Sequence, residues 1–261
     1  MADPTLILWE HPLSPYAQKV KMALREKGVA FAVKMPTGIG AGTTDDAFAA
    51  ASPRREVPAL EHGGAMIFDS RIIVDYIEDA WPTPAISPSD PARHARARMI
   101  EEAVDTQLEA IVWGLTELRI FQRGDDTVRA TMEKRAGEQL AQFYAFLTRT
   151  LGDAQFFGGD RFGRADMAVA SHLLGPARPP ADTALGAWTA RCLERASVST
   201  TAGEAQTAAA AMVQVGAAVK AGLFKRQYRD HRLEWMMRSG GAQIVLDGVK
   251  TNTIRYSTEI A

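Results

Sequence analysis

The sequence predicts a mixed α/β unit followed by an all-helical one, and three observations carry that prediction. Residues 1–82 read as strand, helix, strand, loop, strand, strand, helix. Pro82, Pro84, Pro88 and Pro91 then punctuate a segment with no periodic apolar pattern. Over residues 92–261, apolar residues recur mostly at steps of three and four. The expected division is therefore 1–82 and 92–261. At 261 residues with 46% hydrophobic and 23% charged content, the chain can bury the core that such a pair of units needs.

The first strand is the apolar run Leu6 to Trp9, and it leads through His11, Pro12 and Leu13 into a strong helix start. Ser14 is a good N-cap, and Pro15 suits the first helical position because its missing N–H has no partner there anyway. Ala17, Val20 and Leu24 continue at helical spacing up to Gly28. Free amides and the positive end of the dipole gather at that N-terminus beside the Ser14 hydroxyl, so an anion is stabilised there. Val29, Phe31 and Val33 alternate as a second strand, which would close a right-handed parallel unit. Thr37 to Thr44 reads as a loop. Val57 to Leu60 and Ala65 to Phe68 form a hairpin through Gly63-Gly64. Asp69-Ser70 then starts a helix whose stripe of Ile72, Ile73, Tyr76, Ile77, Ala80 and Trp81 stops at Pro82.

Beyond the prolines, Ile100, Val104, Leu108, Ile111, Leu115 and Leu118 predict a helix that breaks near Gly124. Val128 to Leu151 predicts another, antiparallel to the first and ended by Gly152. A third starts after Phe162-Gly163 with Asp166 set to satisfy first-turn amides, and fails by Pro176. Ala184 to Ala196 and Gly203 to Gly222 read as two more. Lys225, Arg226, Arg229, Arg232 and Arg238 read as a solvated basic helix face, and Ile244 to Val249 as either a strand with an Asp-Gly turn or a short helix.

Thirty basic residues against thirty-one acidic ones leave a net charge of -1, so no global field recruits nucleic acid or an anionic membrane. Met1 to Glu10 lacks a basic, signal-like start, and no apolar run reaches membrane-spanning length; the expected location is cytoplasmic. The single cysteine, Cys192, falls in a helical pattern and reads as a small buried hydrophobe. The five histidines are dispersed, and no metal site is expected.

Four stretches resemble the cytosolic glutathione S-transferases. Ser14-Pro15-Tyr16-Ala17 resembles the active-site loop of their serine-type classes, closest to the tau and omega-like pattern. Glu56-Val57-Pro58-Ala59-Leu60 resembles the segment with a cis proline that meets the cysteinyl part of glutathione. Asp69-Ser70 resembles the pair that holds the γ-glutamyl end. Phe157 to Phe162 with Ala165-Asp166 resembles the start of a helix in the second domain. The resemblance implies a thioredoxin-like N-terminal domain followed by a C-terminal helical bundle. It implies glutathione as the thiol substrate, Ser14 as the catalytic residue, and Val57, Pro58, Asp69 and Ser70 as glutathione ligands. The family often has lysine, glutamine or glycine where Glu56 stands, so Arg55, or its neighbour Arg54, is expected to meet the glycyl carboxylate. A pocket for a small hydrophobic electrophile would use His11, Leu13 and Trp113, and the enzyme would be a homodimer. The same motifs also resemble glutathione-dependent β-aryl etherases; an isomerase or a non-catalytic binding protein on this fold are the other readings.

Overall fold

The computed structural model describes residues 6–38, 46–210, 218–219 and 221–256. Strands β1 (Leu6–Trp9), β2 (Ala32–Lys34), β3 (Ala59–His62) and β4 (Ala65–Phe68) make one sheet in the order β2-β1-β3-β4. β1 runs parallel to β2, with Leu8 opposite Val33, and antiparallel to β3, with Leu8 opposite Leu60. The β3–β4 hairpin turns on Gly63 and Gly64 at φ 57° and 86°, the pair of positive φ angles that a two-residue turn matched to strand twist requires. Helices α1 (Pro15–Glu26) and α3 (Ser70–Ala80) start where Ser14-Pro15 and Asp69-Ser70 predict.

Two details differ from the sequence reading. The second strand begins only at Ala32, so Val29 and Phe31 precede it and pack against the core instead. A short helix, α2 (Asp46–Ala51), follows the predicted loop and seats buried Phe48 against Trp9, ring centroids 5.6 Å apart. Residues 39–45 of that loop lie outside the described residues.

The helical part opens with α4 (Pro91–Ala103), capped by Asp90, whose carboxylate accepts from the Arg93 amide. It passes through one π-helical stretch (Val104–Leu108) into α5 (Glu109–Arg119). The single helix expected from Ile100 to Leu118 is therefore interrupted. Next come α6 (Asp126–Leu151), α7 (Arg164–Leu173), α8 (Ala184–Leu193) and α9 (Ala196–Ala210). The last starts earlier than the predicted Gly203, and residues 211–217 and 220 lie outside the described residues. Asp166, fully buried, accepts from the amides of Phe157 (2.9 Å) and Gly163 (3.1 Å) and from the Trp188 indole (3.0 Å). Half a capping box results, because glycine at the cap has no side chain to return the bond.

One apolar core joins β1, α1 and α3 to α4, α7 and α8. Charges are buried along the same seam. Lys19 of α1 meets Asp105 at 2.5 Å and Glu101 at 2.7 Å, while Arg164 of α7 pairs with Glu101 and Asp75. Buried ions hold only when paired, so this network fixes α1 against the π-helical stretch.

The C-terminal segment is compact. β5 (Arg226–Tyr228) lies parallel to β6 (Ile254–Tyr256), flanking helices α10 (Asp230–Ser239) and α11 (Ala242–Lys250). Residues 244–249, left open by periodicity, are thus helical. A second apolar cluster packs Tyr228, Trp235, Ile244 and Ile254 on Trp113, Leu115 and Leu118 of α5. Trp235 sits so close over Gly114 that a Cβ there would come within 2.0 Å of its ring, so only glycine admits this packing.

The basic face is the main correction. Arg238 is exposed and Lys225 donates to Asn252 Oδ1 at 2.8 Å, but Arg226, Arg229 and Arg232 turn inward. Arg226 pairs with fully buried Glu117 at 2.5 Å and lies 4.1 Å over the Phe121 ring. Arg232 pairs with buried Glu109 at 2.5 Å and also donates to the Gln227 carbonyl at 3.1 Å. The physical reason is the acids: α5 presents Glu109 and Glu117 on its apolar side, and each needs a cation to be buried there.

Candidate active site

A cavity of about 220 Å³ opens between the two parts of the chain. Val57, Pro58, Phe68, Asp69 and Ser70 form its floor, Tyr16 and the Asp105-Thr106 stretch one wall, and Arg229, Asp230 and His231 its cover. Four of the expected glutathione ligands, Val57, Pro58, Asp69 and Ser70, are therefore brought together. The Val57-Pro58 peptide is cis. Asp69 caps α3 at φ 72° and ψ 121°, a strained backbone conformation for a non-glycine residue, with its carboxylate accepting from the Arg71 amide at 3.0 Å. Buried Ser70 opens the helix, so floor amides and the positive dipole end face the cavity.

Ser14 caps α1, its Oγ accepting from the Ala17 amide at 3.3 Å. That bond is long, and the hydroxyl hydrogen remains available as a donor. Ser14 is not among the cavity-lining residues; Tyr16, two positions on, is. Tyr16 donates its hydroxyl to the Asp105 carbonyl at 2.7 Å. Burial first, and the Glu109 charge second, hold its phenol well above the ordinary value, so it stays protonated at neutral pH.

Three expected pocket residues lie elsewhere. His11 and Leu13 are absent from the lining because the loop folds on itself: the Leu13 amide donates to His11 Nδ1 at 3.2 Å. Burial, then Lys21, lower the His11 pKa and keep the ring neutral. Trp113 is buried edge-on against Tyr228 at 4.8 Å, with Arg232 5.1 Å over its ring, and does not line this cavity. Of the two arginines expected near the glycyl carboxylate, Arg55 is not among the lining residues. It is exposed with φ 52°, whereas Arg54 lines the cavity, 5.3 Å over the Phe68 ring and 3.8 Å from Asp69.

Residues that sequence reasoning missed come from the C-terminal segment. His231 Nε2 lies 2.9 Å from Glu109 Oε2 and 3.4 Å from the Tyr16 hydroxyl. Burial alone would raise the Glu109 pKa, but Arg232 and then His231 outweigh it and hold the carboxyl well below its usual range. A signal existed: Glu101, Asp105, Glu109 and Glu117 recur at multiples of four along an apolar helix stripe, and all four are buried. Acids on a buried face announce cations from elsewhere in the chain.

Fold and cavity together define a thioredoxin-like domain, with a mixed sheet, packed on a helical domain, with a helix start lining the cavity between them. Residues 8–85 match the family described as glutathione S-transferase, N-terminal domain. Glutathione S-transferase U26 of Arabidopsis thaliana is 31% identical over 218 residues, covering 76% of this chain and 89% of the relative. U22 of the same plant is 29% identical with the same coverage. The tau-class enzyme of mango superposes with a TM-score of 0.68 at 23% identity, covering 83% of this chain and 99% of that one. Rice GST1 in complex with glutathione gives 0.63 at 25% identity, covering 83% and 98%. The chain belongs to the glutathione S-transferase family.

Proposed function

We propose that this glutathione transferase uses Ser14 to hold the thiolate of glutathione for attack on an electrophilic carbon. A free cysteinyl thiol has a pKa near 8.5 and is only a few per cent thiolate at neutral pH. Lowering that value by about two units takes roughly 2.7 kcal/mol of preference for the anion. A hydroxyl donor at a helix N-terminus supplies that order of magnitude. The observation that carries the reading is the assembly of Val57, Pro58, Asp69 and Ser70 on one cavity floor, with α1 entering the same cavity at Tyr16. Asp69 would pair with the γ-glutamyl ammonium and Ser70 with its carboxylate, while the Val57 backbone meets the cysteinyl part. Tyr16 positions the wall and does not titrate. Arg54 replaces Arg55 as the nearby sheet-side cation. Conjugation assays test the reading: Ser14→Ala should lower kcat/KM about 100-fold, the loss of roughly 2.7 kcal/mol, and an unchanged rate would refute it.

The electrophile is proposed to lay an apolar body against Val57, Pro58, Phe68 and the Tyr16 ring. A homodimer is proposed across an open groove where Met66, Ile67, Phe68 and Ile72 are rimmed by Arg54, Arg71, Arg98, Asp69 and Glu101. The domain boundary is placed in the proline segment between α3 and α4. The cytoplasm is assigned because reduced glutathione is the substrate pool there; no helix among the described residues is long and apolar enough to cross a membrane.

A further inference from the structure

The C-terminal segment turns Arg226, Arg229, Arg232 and Arg255 inward, and they are not equivalent. Arg226 is matched by Glu117, and Arg232 by Glu109 together with the Gln227 carbonyl. Arg229 has no such match. Its guanidinium makes no hydrogen bond with the described residues, and its nearest carboxylate oxygen, Glu56 Oε1, lies 3.8 Å from Nε, beyond hydrogen-bonding distance. That same oxygen already accepts from Gln227 Nε2, and Gln227 is in turn held by Arg255 at 2.7 Å.

Arg229 nevertheless is held in place. It caps α10, lines the cavity, and stacks 5.4 Å over the Tyr16 ring, with 27% of its side chain exposed. Stacking fixes the guanidinium plane and leaves its edge donors for a ligand. The other cavity cations are engaged: Arg71 pairs with Glu102, His231 with Glu109, and Arg54 sits over Phe68 near Asp69.

We propose that Arg229 is a carboxylate-receiving subsite that the C-terminal segment delivers into the glutathione cavity. The inference rests on the transferase reading. A monoanionic, planar group is specified by the surroundings. Glu56, Asp69, Asp105 and Asp230 also line the cavity, so a dianion such as a phosphate is repelled, whereas a carboxylate meets the fork of one guanidinium. The carboxylate comes either from glutathione, at its glycyl end, or from the electrophile.

Two pairs of ligands separate these sources. The first is glutathione against its glycyl monoethyl ester, with affinity read by calorimetry. The second is 4-chloro-3-nitrobenzoate against its methyl ester, with kcat/KM read at saturating glutathione. The parent should favour the carboxylate form at least tenfold in one pair. Arg229→Leu, which keeps apolar bulk over Tyr16, should abolish that preference, and Arg229→Lys should restore part of it. The pair that responds names the source. The parent's own ratio needs no variant, so a misfolded substitution does not shelter the proposal. No preference in either pair, or a ratio untouched by Arg229→Leu in both, overturns the subsite while leaving the transferase reading intact. A parent that binds neither form of glutathione overturns both.

Discussion

The floor of the cavity and its cover are built on opposite principles. Val57, Pro58, Asp69 and Ser70 of the floor, like Ser14 at the cap of α1, come from short local signals, a cap before a helix or a hairpin before a cap, and each is set by neighbours in sequence. The cover is carried by Arg226, Arg232 and His231, which are set by acids more than a hundred positions away: Arg232 and His231 on Glu109 and Arg226 on Glu117. Local rules thus make the binding half of the site, and long-range charge pairing makes the half that closes it. The second kind of structure depends on a few ions, and single substitutions should expose that dependence.

The largest effect is expected at Glu109. Glu109→Ala leaves Arg232 and His231 without their carboxylate in a buried setting, a loss of about 3–5 kcal/mol. Hydrogen exchange should then show α10 and α11 opening while β1 to β4 keep their protection. Equal loss of protection in both halves would erase the distinction drawn here.

Next comes the acid response of the same clasp. Because the Glu109 carboxyl is held below its ordinary value when paired, docking is fully supported above about pH 4.5. It weakens as pH falls below that value, since the undocked carboxyl takes up a proton first. Exchange at α10 amides should therefore accelerate on acidification, and Glu109→Gln should remove the pH dependence. The smallest effect on the site itself belongs to the groove face. Ile72→Arg should yield a monomeric mass by light scattering, with glutathione affinity changed less than threefold.

How far the sequence carried the fold follows the same division. Ser14-Pro15, Gly63-Gly64 and Asp69-Ser70 fix backbone over three or four residues, and the structure has helix, turn and helix at those points. The π-helical stretch at Val104–Leu108 left no trace in the periodicity, because Val104 and Leu108 stay buried through it. Arg55 and Arg54 could not be told apart without the left-handed φ that turns Arg55 outward. The basic residues of the C-terminal segment read as solvated because charge count carries no information about partners. Only Glu109 and Glu117 on the apolar side of α5, read together with those cations, would have shown that the segment folds back.

Ser14 is proposed to stabilise a thiolate at the junction of the two domains. Titrating the ultraviolet absorbance of bound glutathione thiolate against pH, in the parent and in Ser14→Ala, tests it most directly. The expected bound pKa in the parent lies about two units below that of the free thiol, and in the variant it returns close to the free value. Glutathione bound with an unshifted pKa, or a shift that survives the loss of the hydroxyl, would contradict it.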